Sequence, residues 1–229
     1  VNTDKLGLPL TDAGDGGDSA AIAGNLLVAG FQVPIQYYLM NGEPVRHPDK
    51  NKWYGRPGRF SRDQLVAMLC GMAIDRRNEW AREKLFSMHK KRWFVLAWNK
   101  IRNHVYEDYE EHRVKSTPDV AHRPEPKFPD ITGPEVWALW IRVLRIWWLY
   151  PLLLIFDLET LGGALHWKYF RDDNVARNHL LISHVSKKVF PTPWGLIAFY
   201  ITDFVELKKR WKKHCESCGE PYAMDEIGR

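Results

Sequence analysis

Thr132-Gly133-Pro134-Glu135 opens the most informative run of this chain. Val136-Trp137-Ala138-Leu139-Trp140-Ile141-Arg142-Val143-Leu144-Arg145-Ile146-Trp147 continues it. A threonine three residues before a glutamate is the capping-box pattern, in which each side chain takes the other residue's backbone N–H. Proline in a first turn gives up only an N–H that has no helical partner anyway. Behind this start, Val136, Trp137, Trp140, Val143, Leu144 and Trp147 recur at three- and four-residue steps, the spacing of one face of an α-helix. The spacing predicts a helix with Trp137, Trp140, Leu144 and Trp147 buried. Trp137–Leu165 is nearly apolar all round, so it is expected to be the most buried part of the fold. Pro151 is expected to interrupt the pattern, leaving Leu152–Leu161 as a second or kinked helix that Gly162-Gly163 bends or ends.

The same signals recur on both sides of this run. Ser61-Arg62-Asp63-Gln64 is a second capping box, with Phe60 and Leu65 at the staple positions and Leu65, Met68, Leu69 and Met72 on one face. A helix is expected from Asp18 or Ser19, with the small residues Ala20, Ala21, Gly24 and Ala29 allowing close approach, ending near Pro34. Asn41–Phe60 reads as a long loop. Asn174 or a neighbour starts a further helix through Val175, His179, Ile182 and Val185. Thr192-Pro193 opens the last one, with Trp194, Ile197, Ala198, Ile201 and Val205 on one face. Trp93–Trp98 has no second strand-like run to pair with, and a lone strand is unstable, so it reads as helix. Arg113–Ile131 reads as a Pro-rich surface connector. The sum is an all-α fold of six or seven helices joined by long Pro/Gly-rich loops. A single helical domain over 1–213 is expected, with an extended N-terminal arm (1–18) and a C-terminal tail (214–229).

Composition sets the outer limits. The 229 residues hold 33 Lys plus Arg against 28 Asp plus Glu, a net +5, with 45% apolar and 27% charged residues. These values are ordinary for a globular protein and exclude a disordered, collagen-like or disulfide-stapled chain. Three cysteines imply reduced thiols. The uncharged run Ile146–Phe156 has eleven residues where a membrane span needs about 20. Val1-Asn2-Thr3-Asp4 shows no signal-peptide start. The expectation is a protein with no transmembrane span, located in the cytoplasm or within an assembled particle. Eleven tryptophans are the outlying number, and most are expected to fill the space between helices.

Chemistry-bearing residues cluster in two loops. Asp12, Asp15 and Asp18 share a glycine-rich loop, with no basic residue between Leu6 and Pro44. Arg46, His47, Asp49, Trp53, Tyr54, Arg56, Arg59 and Arg62 follow, with Asp63 at the next helix start. Clusters of one sign repel themselves, and neighbouring clusters of opposite sign form charge-assisted bonds, so the two loops are predicted to be neighbours. Arg46, His47, Trp53, Tyr54, Arg59 and Arg62 are the candidate binding residues for a sugar or an anionic ligand. A third polar group, Arg171-Asp172-Asp173-Asn174 with Arg177, Asn178 and His179, places a histidine near an apolar face, which reads as core. His214, Cys215 and Cys218 fall short of the four ligands of a structural zinc, so no metal and no cofactor is expected.

Gly17-Asp18-Ser19-Ala20 with Gly24, opening a helix, resembles the first inner helix of α/α-toroid carbohydrate-active proteins, the glycoside hydrolases and polysaccharide lyases. The resemblance covers residues 12–75, with the Ser61–Gln64 entry as the next inner helix. It implies a partial toroid and a sugar cleft with Asp15, Asp18 and Asp63 as candidate catalytic acids. The expected partner is then a glycan. Two other readings stand beside it. One is a structural protein that contacts further copies, as a homo-oligomer or larger particle, through its Trp-rich faces and arm. The other is a nucleic-acid-associated protein using the basic stretches Asp75–Arg102 and Lys208–Lys213, weakened by the modest net charge and the lack of a recognised motif.

Overall fold

The computed structural model describes residues 1–40, 43–55, 62–76, 79, 82, 133–170, 173–218 and 222. The protein is all-α. Its described helices are α1 (Ser19–Val28), α2 (Arg62–Ile74), α3 (Gly133–Leu144), α4 (Tyr150–Phe170), α5 (Asp173–Lys188), α6 (Pro193–Ile201) and α7 (Phe204–Cys218). Among the described residues strand is confined to two antiparallel two-residue ladders, Asn2–Thr3 (β1) on Pro9–Leu10 (β2) and Leu39–Met40 (β3) on Glu43–Pro44 (β4). Arg56–Ser61, Trp93–Trp98, most of the basic stretch 75–102 and the Pro-rich connector lie outside the described residues.

The centre is the pair α1–α2. Every residue of α1 is buried. Gly24 lies against the Ala67–Met68 backbone, where a Cβ would come within 2.2 Å of Ala67 C, and Gly71 lies against the Gly24 carbonyl and Leu27. Two glycines at one crossing let the helix backbones meet without side chains between them. α1 stops at Val28 because Gly30, at φ +90°, turns the chain so that its own N–H reaches Leu27 O and the Phe31 N–H reaches Leu26 O. The end therefore comes six residues before Pro34. Around this pair, α2 packs on α3 and α5, α4 on α3, α5 and α6, and α7 on α5.

Several sequence expectations need correction. Residues 1–18 are not an extended arm. The β1–β2 pairing folds them back, Asp4 Oδ1 accepts the Leu6 and Leu8 N–H groups at 2.8 Å, and Leu8 is fully buried. Nor does a tail begin at 214: α7 continues to Cys218, and Leu207, Trp211 and Cys215 bury one face at four-residue steps. The stretch from Thr192 forms two helices. Thr192 caps α6 by accepting the Gly195 N–H at 3.0 Å, and Asp203 caps α7 by accepting the Glu206 N–H at 3.1 Å.

α4 is uninterrupted. Pro151 falls in its first turn, where no N–H is needed. Gly162 and Gly163 remain helical, and a Cβ on Gly163 would lie 1.7 Å from His179 Cε1 of α5. The glycine is what admits the imidazole. Trp140 and Trp167 are buried and Trp137 is half-buried, but Trp147 is 72% and Trp148 63% exposed. With the 3-10 turn before it, α4 makes a helical stretch from Trp147 to Tyr169. By length and composition alone it is long enough to cross a membrane, a property that the uncharged run Ile146–Phe156 understates.

One charged node is fully interior. Arg142 of α3 donates to both carboxylate oxygens of Asp157 of α4, at 2.9 and 2.5 Å, and its Nε donates to Val189 O at 2.9 Å. Thr192 Oγ1 donates to the same carboxylate. Paired and hydrogen-bonded in this way, the two charges tie α3, α4 and the α5–α6 link together without an unmet polar group between them.

Candidate functional site

The acidic loop is built on Thr11. Its N–H donates to Asp15 O (3.0 Å), its Oγ1 accepts the Asp15 N–H (3.0 Å), and its carbonyl accepts the Gly14 N–H (2.9 Å). The chain then turns through Gly16 and Gly17, with Asp15 Oδ1 accepting the Gly17 N–H at 2.7 Å. Asp18 stands at the start of α1 but its side chain makes no capping hydrogen bond. Its carboxylate lies 4.0 Å from Arg46 Nη1.

The second loop closes on the first. Arg46 O accepts the Ala20 N–H (3.1 Å), satisfying one of the donors that every helix start leaves open. The Arg46 side chain donates to Gly17 O at 3.4 Å, and its guanidinium lies 5.1 Å from the centre of the Trp53 ring. Gln64, in the first turn of α2, donates through Nε2 to the same Gly17 carbonyl at 2.8 Å. Gly17 is therefore the meeting point of both loops and both helix starts. The Trp53 ring edge and the Asp15 carboxylate are each 3.4 Å from where a Gly17 Cβ would stand.

The sequence-predicted residues sort into two groups. Asp15, Asp18, Arg46 and Trp53 come together at the surface, with Trp53 52% exposed. His47 and Tyr54 are buried and serve packing. His47 Nδ1 accepts the Asp49 N–H at 3.3 Å, which leaves the ring proton on Nε2. That nitrogen is 3.2 Å from Asp4 Oδ2 but out of line for a hydrogen bond. The ring also presses on Gly16, where a Cβ would meet His47 Cγ at 2.8 Å, and it meets Tyr54 edge-on at 5.8 Å. Arg62 and Asp63 are the first residues of α2, beside Gln64, and their side chains lie outside the described residues, as does all of Arg59. Asp4, Thr11, Gly16, Gly17 and Gln64 complete the arrangement and were not among the predicted site residues.

The other candidates resolve into the core or the surface. His179 is fully buried between α3 and α4. Burial, with the nearby His166, pushes its pKa down to about 3, so the Glu135 carboxylate 3.8 Å away faces a neutral ring and forms no ion pair with it. His184 is pushed down to about 4 by burial and then by Lys188, Lys187 and Lys208. Burial also pushes the Cys70 thiol and the Tyr38 phenol well up, so both stay protonated; Tyr38 OH and Ser19 Oγ are hydrogen-bonded at 2.7 Å. Among the described residues no group of three or more His, Cys, Asp or Glu side chains is placed to hold a metal ion. Comparison with protein-family models, with curated proteins and with solved structures gives no match.

Proposed function

We propose that this protein binds a glycan at the surface formed by Asp15, Asp18, Arg46 and Trp53. The observation that supports the reading is the half-exposed Trp53 ring, steadied by Arg46 and flanked by Asp15 and Asp18. An indole offers an apolar plane for a sugar ring, and ionised carboxylates accept hydrogen bonds from hydroxyl groups. The same geometry favours binding over cleavage. A glycosidic general acid needs a desolvated carboxyl, whereas Asp15 is exposed and Asp18 is half-exposed. Asp63, from the α2 start, is the remaining candidate for chemistry in the toroid-like reading.

The test is calorimetric titration with a panel of neutral and acidic oligosaccharides. Covering about 80 Å² of ring at about 25 cal/mol/Å² is worth about 2 kcal/mol, so Trp53→Ala is expected to weaken binding about thirtyfold. The circular dichroism spectrum should not change. Failure of every oligosaccharide to bind, or an unchanged affinity in Trp53→Ala, overturns the reading.

A further inference from the structure

We infer that the outer face of α4 and α6 is a docking surface for an anionic lipid bilayer, lying in the interface plane rather than crossing it. α4 is not an interior helix: only 28% of its most apolar stretch is buried. Trp148, Leu152, Ile155, Leu158, Leu165 and Tyr169 are all exposed, and their steps of three, four and seven residues put them on one helix face. The neighbouring α6 exposes Trp194, Ile197 and Tyr200 in the same manner. Among the exposed described residues of these two helices, Lys168 alone is charged, and it stands in the last turn of α4. Isolated exposed apolar side chains are ordinary, but a surface this continuous is not.

Two observations select lipid as the occupant. The exposed side chains include Trp147, Trp148, Tyr169, Trp194 and Tyr200. Their rings have one apolar and one polar edge and suit the headgroup level of a bilayer. Lysines also border the surface on one side. Lys187 Nζ lies 4.1 Å from the centre of the Phe199 ring and 5.9 Å from that of Tyr200. Lys188 and Lys208 are close enough to the same region to act with it on His184. An apolar face with a lysine border complements an anionic bilayer. A two-fold pairing of the same face would instead bring two lysine borders toward each other.

The experiment is co-sedimentation of the whole protein with vesicles of phosphatidylcholine alone and of phosphatidylcholine with phosphatidylglycerol. The anionic vesicles should bind at least about tenfold more tightly, with the difference lost at high salt. Trp148→Gln with Ile155→Gln should weaken binding to both by at least about tenfold without moving the melting temperature by more than a few degrees. Lys187→Gln with Lys188→Gln should weaken binding to the anionic vesicles alone, by about thirtyfold. An environment-sensitive fluorophore on Ile155→Cys, in a Cys218→Ser background, should shift to the blue on adding anionic vesicles; this reading holds even if the glutamine variants fold poorly. No vesicle binding, or no shift of the label, overturns the proposal. So does a sedimentation experiment in which the protein is a dimer without vesicles and the glutamine variants are monomers, which assigns the face to a second copy.

Discussion

Arg142 and Asp157 meet in a two-pronged ion pair with neither side chain touching solvent, and Thr192 closes the remaining side of the carboxylate. A charge in such a place is tolerated only while its partner stays. Arg142→Met alone or Asp157→Leu alone should cost about 3–5 kcal/mol, because each leaves a buried charge unmatched. The double variant should cost much less than the sum. Urea unfolding of the four proteins of the cycle measures this, and additivity would show that the two residues do not act as a pair.

Gly163 and His179 make a second dependence between helices. Gly163→Ala would put a methyl into the imidazole ring, so α4 and α5 must separate. Overpacking of this kind costs about 1–3 kcal/mol. His179→Ala should recover part of the loss in the double variant, as read by melting temperature. Ala at Gly24, whose Cβ would meet backbone rather than a side chain, should be worse and gain nothing from that rescue.

Acid should destabilise the fold through His179 and His184. Both imidazoles are held neutral when folded, with pKa values near 3 and 4, against about 6.5 unfolded. Below pH 6.5 the unfolded chain takes up protons that the folded one refuses, so stability falls as pH drops from 6.5 toward 4. Each imidazole contributes a slope of at most about 1.4 kcal/mol per pH unit. Urea midpoints at pH 7 and pH 5 check the fall. His184→Gln should flatten it, and an unaltered slope in that variant would exclude His184 as a source.

Asp18→Asn separates a binding role from a structural one. The carboxylate is half-exposed, 4.0 Å from Arg46 and not part of a helix cap. Exposed pairs contribute about 0–1 kcal/mol, so the melting temperature should hardly move. Glycan affinity, in contrast, should fall by about tenfold if the carboxylate accepts a sugar hydroxyl. A large drop in melting temperature would mark Asp18 as structural.

The helical class was legible because capping patterns and three-to-four spacing are local properties. Burial was not, because an apolar face says nothing about whether a neighbour covers it. Trp140 and Trp147 belong to the same stripe, yet one is interior and the other exposed. α1, and α2 from Leu65 onward, are the true centre, and the glycines at their crossing were the better sign of it. The Leu207, Trp211 and Cys215 face of α7 was hidden among lysines. Asn41-Gly42, the two residues between β3 and β4, is a strong hairpin signal that the long-loop reading passed over. In the site, opposite charge located the two loops. The Gly17 carbonyl that joins Arg46 to Gln64 could not be found this way, since a backbone acceptor leaves no mark in a sequence.

Every contact described around Gly17 lies between Asp4 and Gln64, whereas the Arg142–Asp157 node needs the chain as far as Thr192. Synthesis runs from the N-terminus, and segments can order as they emerge. The surface around Trp53 has therefore received all its parts by Gln64, before any residue of the Arg142–Asp157 node is made. The two ends of the molecule are thus on different clocks. A slow or failed docking of the later helices strands a nascent chain that already displays the Trp53 surface.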